Sequence, residues 1–389
     1  MIASFLTAKR VKNYCLIFIG VNALMIAFSF TRTGSVSFSG APFGGDFIEF
    51  YNAGRILNNY GSHRLYDFQL QQELTEEFLA GFSVPYVTPP YVAILFSPLA
   101  LLPFSVAFLI WIFISVALYA AAVSLIARLE LLPRGMTLLV CLAFPPFLML
   151  AVAGGQISAI GCFILALWIY LMKRQRKFMA GLVLGLLLYK PTLAVFVVPT
   201  LLVGRQFRTL FGFGAVALVL VGLTIWMLGP TGSTRYLTIL REFSSLVGQG
   251  YTPAAMHVDL ASMVRQIIHA DVRYFIMLLG LPFVYLTRNN PERAILPTML
   301  FNSYSPTYDL ILLVPLLLLT YRSVNRSLLI ILFVTSFITV PLCQFTGIQL
   351  ITPVLLVLCY VLCIKAMLHS KDELHSGAAL NSIWDRRLT

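Results

Sequence analysis

Residues 43–51 read FGGDFIEFY, and Asp46 is the first acidic residue of the chain. Only 15 of the 389 residues are Asp or Glu, so a carboxylate beside an apolar segment is a candidate for chemistry. A positioned carboxylate can take the proton of an attacking hydroxyl, a contribution of roughly 10²–10⁴-fold to a rate. Glu49 follows three residues later, so two acids share one helix start. Asp46 also fits a plainer role, because aspartate at a helix start caps free backbone N–H groups. His257 and Asp259 in MHVDLAS are spaced like metal ligands, but two residues do not make a metal site, and a surface-loop histidine is the simpler reading.

The elements that must carry these residues are set by composition. The chain is 59% hydrophobic and 11% charged, with a mean hydropathy of +0.88. Soluble domains run near a quarter charged, so this is an integral membrane protein. Apolar runs of bilayer length recur, which predicts an all-α bundle rather than a barrel. The net charge of +12 is read as cytoplasmic-loop lysine and arginine, not as a nucleic-acid surface. The six cysteines all lie in apolar segments, which suggests no disulfide framework. The N-terminus reads as a retained first helix, not a cleaved signal.

Basic residues cluster at Lys9/Arg10/Lys12, Arg128/Arg134, KRQRK 173–177, GRQFR 204–208, RNNPER 288–293, YRSVNR 321–326 and the C-terminal region. Placing all of them on the cytoplasmic side predicts about 10–12 transmembrane segments with both termini inside. The expected helices run near 14–30, 104–127, 136–152, 156–172, 208–228, 272–287, 327–343 and 349–367. Residues 178–203 and 294–321 are flanked by basic clusters on both sides, so each must leave and return to the same face. Each is expected to break, at YKP 189–191 and SPTYD 305–309, because proline interrupts the helix ladder. Such breaks are tolerated where they line a cavity.

The chain is read as one transmembrane domain, 1–368, with a cytoplasmic tail at 369–389. A first outer loop spans 31–103 and a second spans 230–271. Within the first, Asp46, Glu49, Asn52, Arg55 and Asn59 fall on one helix face, and Tyr66, Leu70, Leu74 and Phe78 recur at steps of four. Both stretches predict amphipathic helices lying on the membrane surface. Residues 88–104, proline-bounded at both ends, are expected to be re-entrant or interfacial rather than spanning.

The ordered set GGDFIEFYNAGRILNNYGSHRLYD, VTPPYVAILFSPLALLPFSVAFLIW, GGQISAIGCFILAL and KFMAGLVLGLLLYKPTLAVFVVPTLL resembles glycosyltransferase family 87. These are polyprenyl-phosphate-mannose-dependent mannosyltransferases of the GT-C superfamily. The resemblance covers roughly 40–210 and continues weakly through SPTYDLILLVPLLLL 305–319. It implies a GT-C-type bundle with an ordered first extracytoplasmic loop and a catalytic carboxylate at the start of that loop, where Asp46 stands. It implies a polyprenyl-phosphate-sugar donor, mannose in the family, and a lipid or glycan acceptor outside a plasma membrane such as the bacterial inner membrane. Consistent with a lipid-borne donor, no Rossmann-type glycine fingerprint is present.

On that resemblance Asp46 is the base of an inverting transfer, and Glu49 is expected to orient the acceptor. The leaving phosphate requires a cation or helix N-termini. Lys190, the only charged residue between Lys177 and Arg205, is the expected partner, although a lysine near an interface also snorkels. Gln156 is expected either to hold a sugar hydroxyl or to cap its helix. Tyr308 and Asp309 stand at the second break and are expected to bind substrate, Asp309 alternatively capping the helix after it. Arg55 and His257 are further substrate-binding expectations, and Arg64 and Tyr86 weaker ones. Asp46 and Glu49 are not adjacent as in a DxD pair, so no obligatory metal is expected, a divalent ion staying open. A lipid-linked-substrate transporter or flippase, or a non-catalytic GT-C-like assembly subunit, are the alternatives. The absence of a convincing internal repeat weighs against transport.

Overall fold

The computed structural model describes residues 7–31, 44–78, 85–249, 256–346 and 350–365. The expected tail at 369–389 and parts of both expected outer loops lie outside the described residues. The protein is all-α, with no strand among the described residues. Ala8–Phe28, Phe104–Leu129 and Phe207–Gly248 are long and apolar enough to cross a membrane. Among the described residues seven shorter apolar helical segments accompany them, from Ser158–Lys173 to Ile351–Cys363.

Both expected breaks are present. The first segment is split into the helix Lys177–Gly185, tight turns at Leu186–Tyr189 and Pro191–Ala194, and the helix Val197–Val203. The second is split into Ile295–Phe301, the turn Thr307–Leu313 and Val314–Leu319. The two breaks touch, since Asn302 Nδ2 donates to the Thr192 carbonyl at 3.3 Å. The first is also anchored by Tyr91, whose hydroxyl donates to the Leu188 carbonyl at 2.7 Å.

Two expectations need correction, for the helix Phe47–Asn59 and for the stretch 230–271. The helix Phe47–Asn59 does not lie on a surface: eight of its 13 residues are buried. Phe47 packs against Phe96, Phe104, Phe108 and Trp111, with ring centroids 5.3–6.3 Å apart. Aromatic burial of this size outweighs the polar stripe, which is divided among several partners. Residues 88–104 form only a seven-residue helix, Pro90–Phe96, and a turn at Leu99–Leu101. At about 1.5 Å per residue such a helix reaches about 10 Å, too short to cross. Finally, the stretch 230–271 is not a simple loop. The run Phe207–Gly248 carries helix into it across a break at Gly229–Pro230, where Gly229 has non-helical φ +67° and ψ 176°. Its upper half packs on the segment after Phe47–Asn59, with the Tyr236 and Tyr66 rings stacked at 4.7 Å. A second helix, Leu260–Ile268, follows.

One helix relates the two ends of the bundle. Ser158–Lys173 ends at the basic turn 173–177, where Lys173 Nζ pairs with Glu292 at 2.8 Å. The turn at Gly204 lies against Arg288, so close that a Cβ on Gly204 would sit 2.4 Å from the Arg288 carbonyl oxygen. Three basic clusters therefore meet at one end. The first residue of the same helix, Ser158, faces the site below, about 22 Å away by helical rise.

Candidate functional site

Two double-glycine turns build the site. In GGD 44–46, Gly44 and Gly45 have φ +84° and +51°, and in GGQ 154–156, Gly155 has φ +67°. That left-handed backbone favours glycine. Missing side chains also let the turns interlock: a Cβ on Gly45 would meet the Gly154 carbonyl oxygen at 2.5 Å, and one on Gly155 the Gly44 carbonyl oxygen at 2.4 Å. The Asp46 N–H donates to the Gly154 carbonyl at 2.9 Å, and Trp111 Nε1 donates to the Gly155 carbonyl at 3.2 Å.

Asp46 opens the helix Phe47–Asn59 but its side chain makes no capping hydrogen bond. Instead its Oδ2 accepts from the Gln156 side-chain amide. Its other oxygen has no hydrogen-bond partner among the described residues. Burial raises the proton affinity of Asp46, opposed by the Gln156 hydrogen bond and the charge of Lys190. Glu49, half-buried one turn on, is pushed well above the usual carboxylate range, first by burial and then by the Asp46 charge, with Lys190 opposing. Two like charges in one dry site do not ionise together. Both shifts run upward and the larger is that of Glu49, so Asp46 is the more acidic of the two.

The two helix breaks supply the opposite wall. Lys190 Nζ pairs with Asp309 Oδ2, and its ammonium lies 5.6 Å and 5.2 Å from the ring centroids of Tyr304 and Tyr308. Ser158 Oγ donates to Asp309 Oδ1 at 2.6 Å. Asp309 is 1% exposed, so both its oxygens are used inside the protein and it does not serve as a helix cap. Behind Tyr304 stands His257, its ring edge-on at a centroid separation of 4.8 Å.

His257 is not the surface-loop histidine that was the simpler expectation. It is 3% exposed, and its Nδ1 lies 3.3 Å from Ser262 Oγ and 3.8 Å from Asp259 Oδ2. Burial first, then the charges of Arg265 and Lys190, lower it to about 3, so it is neutral. Asp259 caps Leu260–Ile268 through the Ser262 N–H at 2.7 Å and also takes the Ser305 N–H at 3.1 Å. This clips residues 256–259 to the second break. No group of three His, Cys, Asp or Glu side chains placed to hold a metal occurs among the described residues.

The structure brings Asp46, Glu49, Gln156, Lys190, His257, Tyr308 and Asp309 near one another. Arg55 does not join them. It pairs with Glu77 at 3.0 Å and lies over the Phe78 ring, nine residues along the helix from Asp46, or about 13 Å by rise. Arg64 likewise pairs with Asp67, and Tyr86 is buried with its hydroxyl on the Pro89 carbonyl. Ser158 and Tyr304 were missed. Their signal was proximity: Ser158 is two residues beyond Gln156 in GGQIS, and Tyr304 opens the tyrosine pair of YSPTY.

The sequence profile of glycosyltransferase family 87 matches residues 86–301, more than half of the chain. The chain belongs to glycosyltransferase family 87. It is therefore a membrane glycosyltransferase. The family match contains Gln156, Ser158, Lys190 and His257, whereas Asp46, Glu49, Tyr304, Tyr308 and Asp309 lie outside its limits and join through the fold. Comparison with curated proteins and with solved structures found no match.

Proposed function

We propose that the protein moves a sugar, mannose, from a polyprenyl-phosphate donor to an acceptor hydroxyl on a lipid or glycan, with inversion and Asp46 as general base. The acceptor oxygen bonds to the anomeric carbon as the bond from that carbon to the phosphate oxygen breaks. The electron pair leaves with the polyprenyl phosphate, and the hydroxyl proton passes to Asp46. A phosphate leaving group needs no proton, so one base suffices. Lys190 and the turn starting at Pro191 meet the phosphate, Tyr304 and Tyr308 pack against the sugar, and protonated Glu49 donates a hydrogen bond to the acceptor. No step calls for a metal.

The observation that carries this reading is the condition of Asp46. It stands at a helix start without capping it, is held by an amide on one oxygen, and keeps the other free within reach of the Lys190 charge. Placement along Ser158–Lys173 supports the sidedness: the site lies at the end opposite the basic turns, which the positive-inside rule assigns to the cytoplasm. This supports a reaction on the extracytoplasmic side, where a lipid carrier can present its sugar.

Asp46→Asn is the test. The variant should fold and bind polyprenyl phosphate but fail to transfer label from polyprenyl-phospho-mannose to a lipid extract. Transfer at the parent rate would remove Asp46 from the role. Vectorial movement of the lipid with no covalent product would replace the reading with transport.

A further inference from the structure

The segment Gly154–Ser158 touches both halves of the site within five residues. Its Gln156 amide donates to Asp46. Its Ser158 hydroxyl is spent on Asp309 at 2.6 Å, and Asp309 in turn holds Lys190. The Gly154 carbonyl receives the Asp46 N–H at 2.9 Å. The turn itself is fixed from behind by Trp111. Gln156 is 6% exposed and Ser158 2%, so neither presents a broad face to a substrate.

We propose that Gly154–Ser158 is the positioning element of this site, with Gln156 orienting the base Asp46 and Ser158 orienting Asp309 and through it Lys190. This rests on the transfer reaction proposed above and assigns Gln156 and Asp309 to positioning rather than to sugar binding. The physical need is register. Base and phosphate partner come from segments about 140 residues apart (46 and 190), and a misplacement of about 1 Å costs about a hundredfold in rate. A rigid turn hydrogen-bonded to both removes that freedom. Buried Asp309 also needs more than one donor to satisfy both its oxygens, and Ser158 provides the second.

The two arms act on different parameters, which a general loss of structure would not reproduce. Gln156→Met keeps the length and removes the amide. It should lower kcat by about a hundredfold and move the acid limb of the pH profile to higher pH, because the amide stabilises the Asp46 carboxylate. Affinity for polyprenyl phosphate should hold. Gln156→Glu should move the limb further, by adding a like charge. Ser158→Ala should weaken polyprenyl phosphate binding about tenfold with the acid limb unmoved, and Ser158→Thr should recover it. The measurements are pH-dependent transfer from labelled polyprenyl-phospho-mannose and binding of polyprenyl phosphate to the purified protein in nanodiscs. An unmoved limb in both Gln156 variants, or unchanged affinity in Ser158→Ala, overturns the proposal. If Asp46→Asn is inactive and this split is absent, the positioning role alone fails. If Asp46→Asn still transfers, the underlying reading fails instead.

Discussion

Gly155→Ala is the sharpest test of how the two glycine turns meet. A Cβ there would lie 2.4 Å from the Gly44 carbonyl oxygen, 2.5 Å from Phe47 Cβ and 2.8 Å from Phe47 N, where ordinary contact begins at 3.4 Å. The deficit is about 1 Å against backbone, which cannot rotate away as a flexible side chain can. The positive φ adds about 1–2 kcal/mol of strain, and overpacking adds about 1–3 kcal/mol. A total loss of about 2–5 kcal/mol is expected. Gly222→Ala is the contrast: nothing lies within 4 Å of its Cβ and it sits inside a helix, so the change should stabilise by about 0.5–1 kcal/mol. Thermal unfolding of the purified protein in detergent should move the two variants in opposite directions. Transfer measured well below both midpoints should still fall about a hundredfold in Gly155→Ala, since relieving the overlap moves Asp46 by about 1 Å. A Gly155→Ala protein as stable and as active as its parent would show that the turns do not interlock.

Removing Lys190 alone would strand the buried Asp309 carboxylate, so the informative variant is Lys190→Met with Asp309→Asn. Loss of the Lys190 charge raises the proton affinity of Asp46 and Glu49. The acid limb of the transfer profile should therefore move to higher pH as polyprenyl phosphate binding weakens; a stationary limb would separate Lys190 from the carboxylates. His257, lowered from its ordinary 6.5 to about 3, stays neutral in the folded protein while the unfolded chain takes up a proton. Stability is then lost as pH falls from 6.5 towards 3, with a slope approaching about 1.4 kcal/mol per pH unit. The raised carboxyls Asp46 and Glu49 act with the opposite sign in acid, so the comparison is with His257→Gln, whose stability should fall less steeply over that window. Equal slopes in a chemical-denaturation series would refute a buried, neutral His257.

The helix breaks at 189–191 and 305–309 were legible because proline and a polar residue interrupt an apolar run, a purely local signal. The helix at Phe47–Asn59 was legible from its spacing, but its burial was not. Hydrophobic periodicity describes one helix at a time, and the phenylalanines that enclose Phe47 come from two other helices. The glycine before proline at 229–230 does interrupt the helix there, and what stayed hidden is that the chain beyond it is helical again and packs Tyr236 on Tyr66. Arg55 was misassigned because a stripe of polar residues looks like one surface, whereas its members answer to Gln156, Thr75 and Glu77 separately.

By itself the sequence determined the membrane setting, the all-α class, the sidedness argument and the scarcity of acids that singled out Asp46. Each follows from composition or short-range pattern. Only the tertiary structure decided that Asp46 is not a cap, that Asp309 faces Lys190 and Ser158, that His257 is buried, and that GGD and GGQ are two halves of one contact. Those outcomes depend on which backbones approach within van der Waals distance across more than 100 residues of chain. No local propensity encodes such an approach, although the paired glycines that permit it stand in plain view.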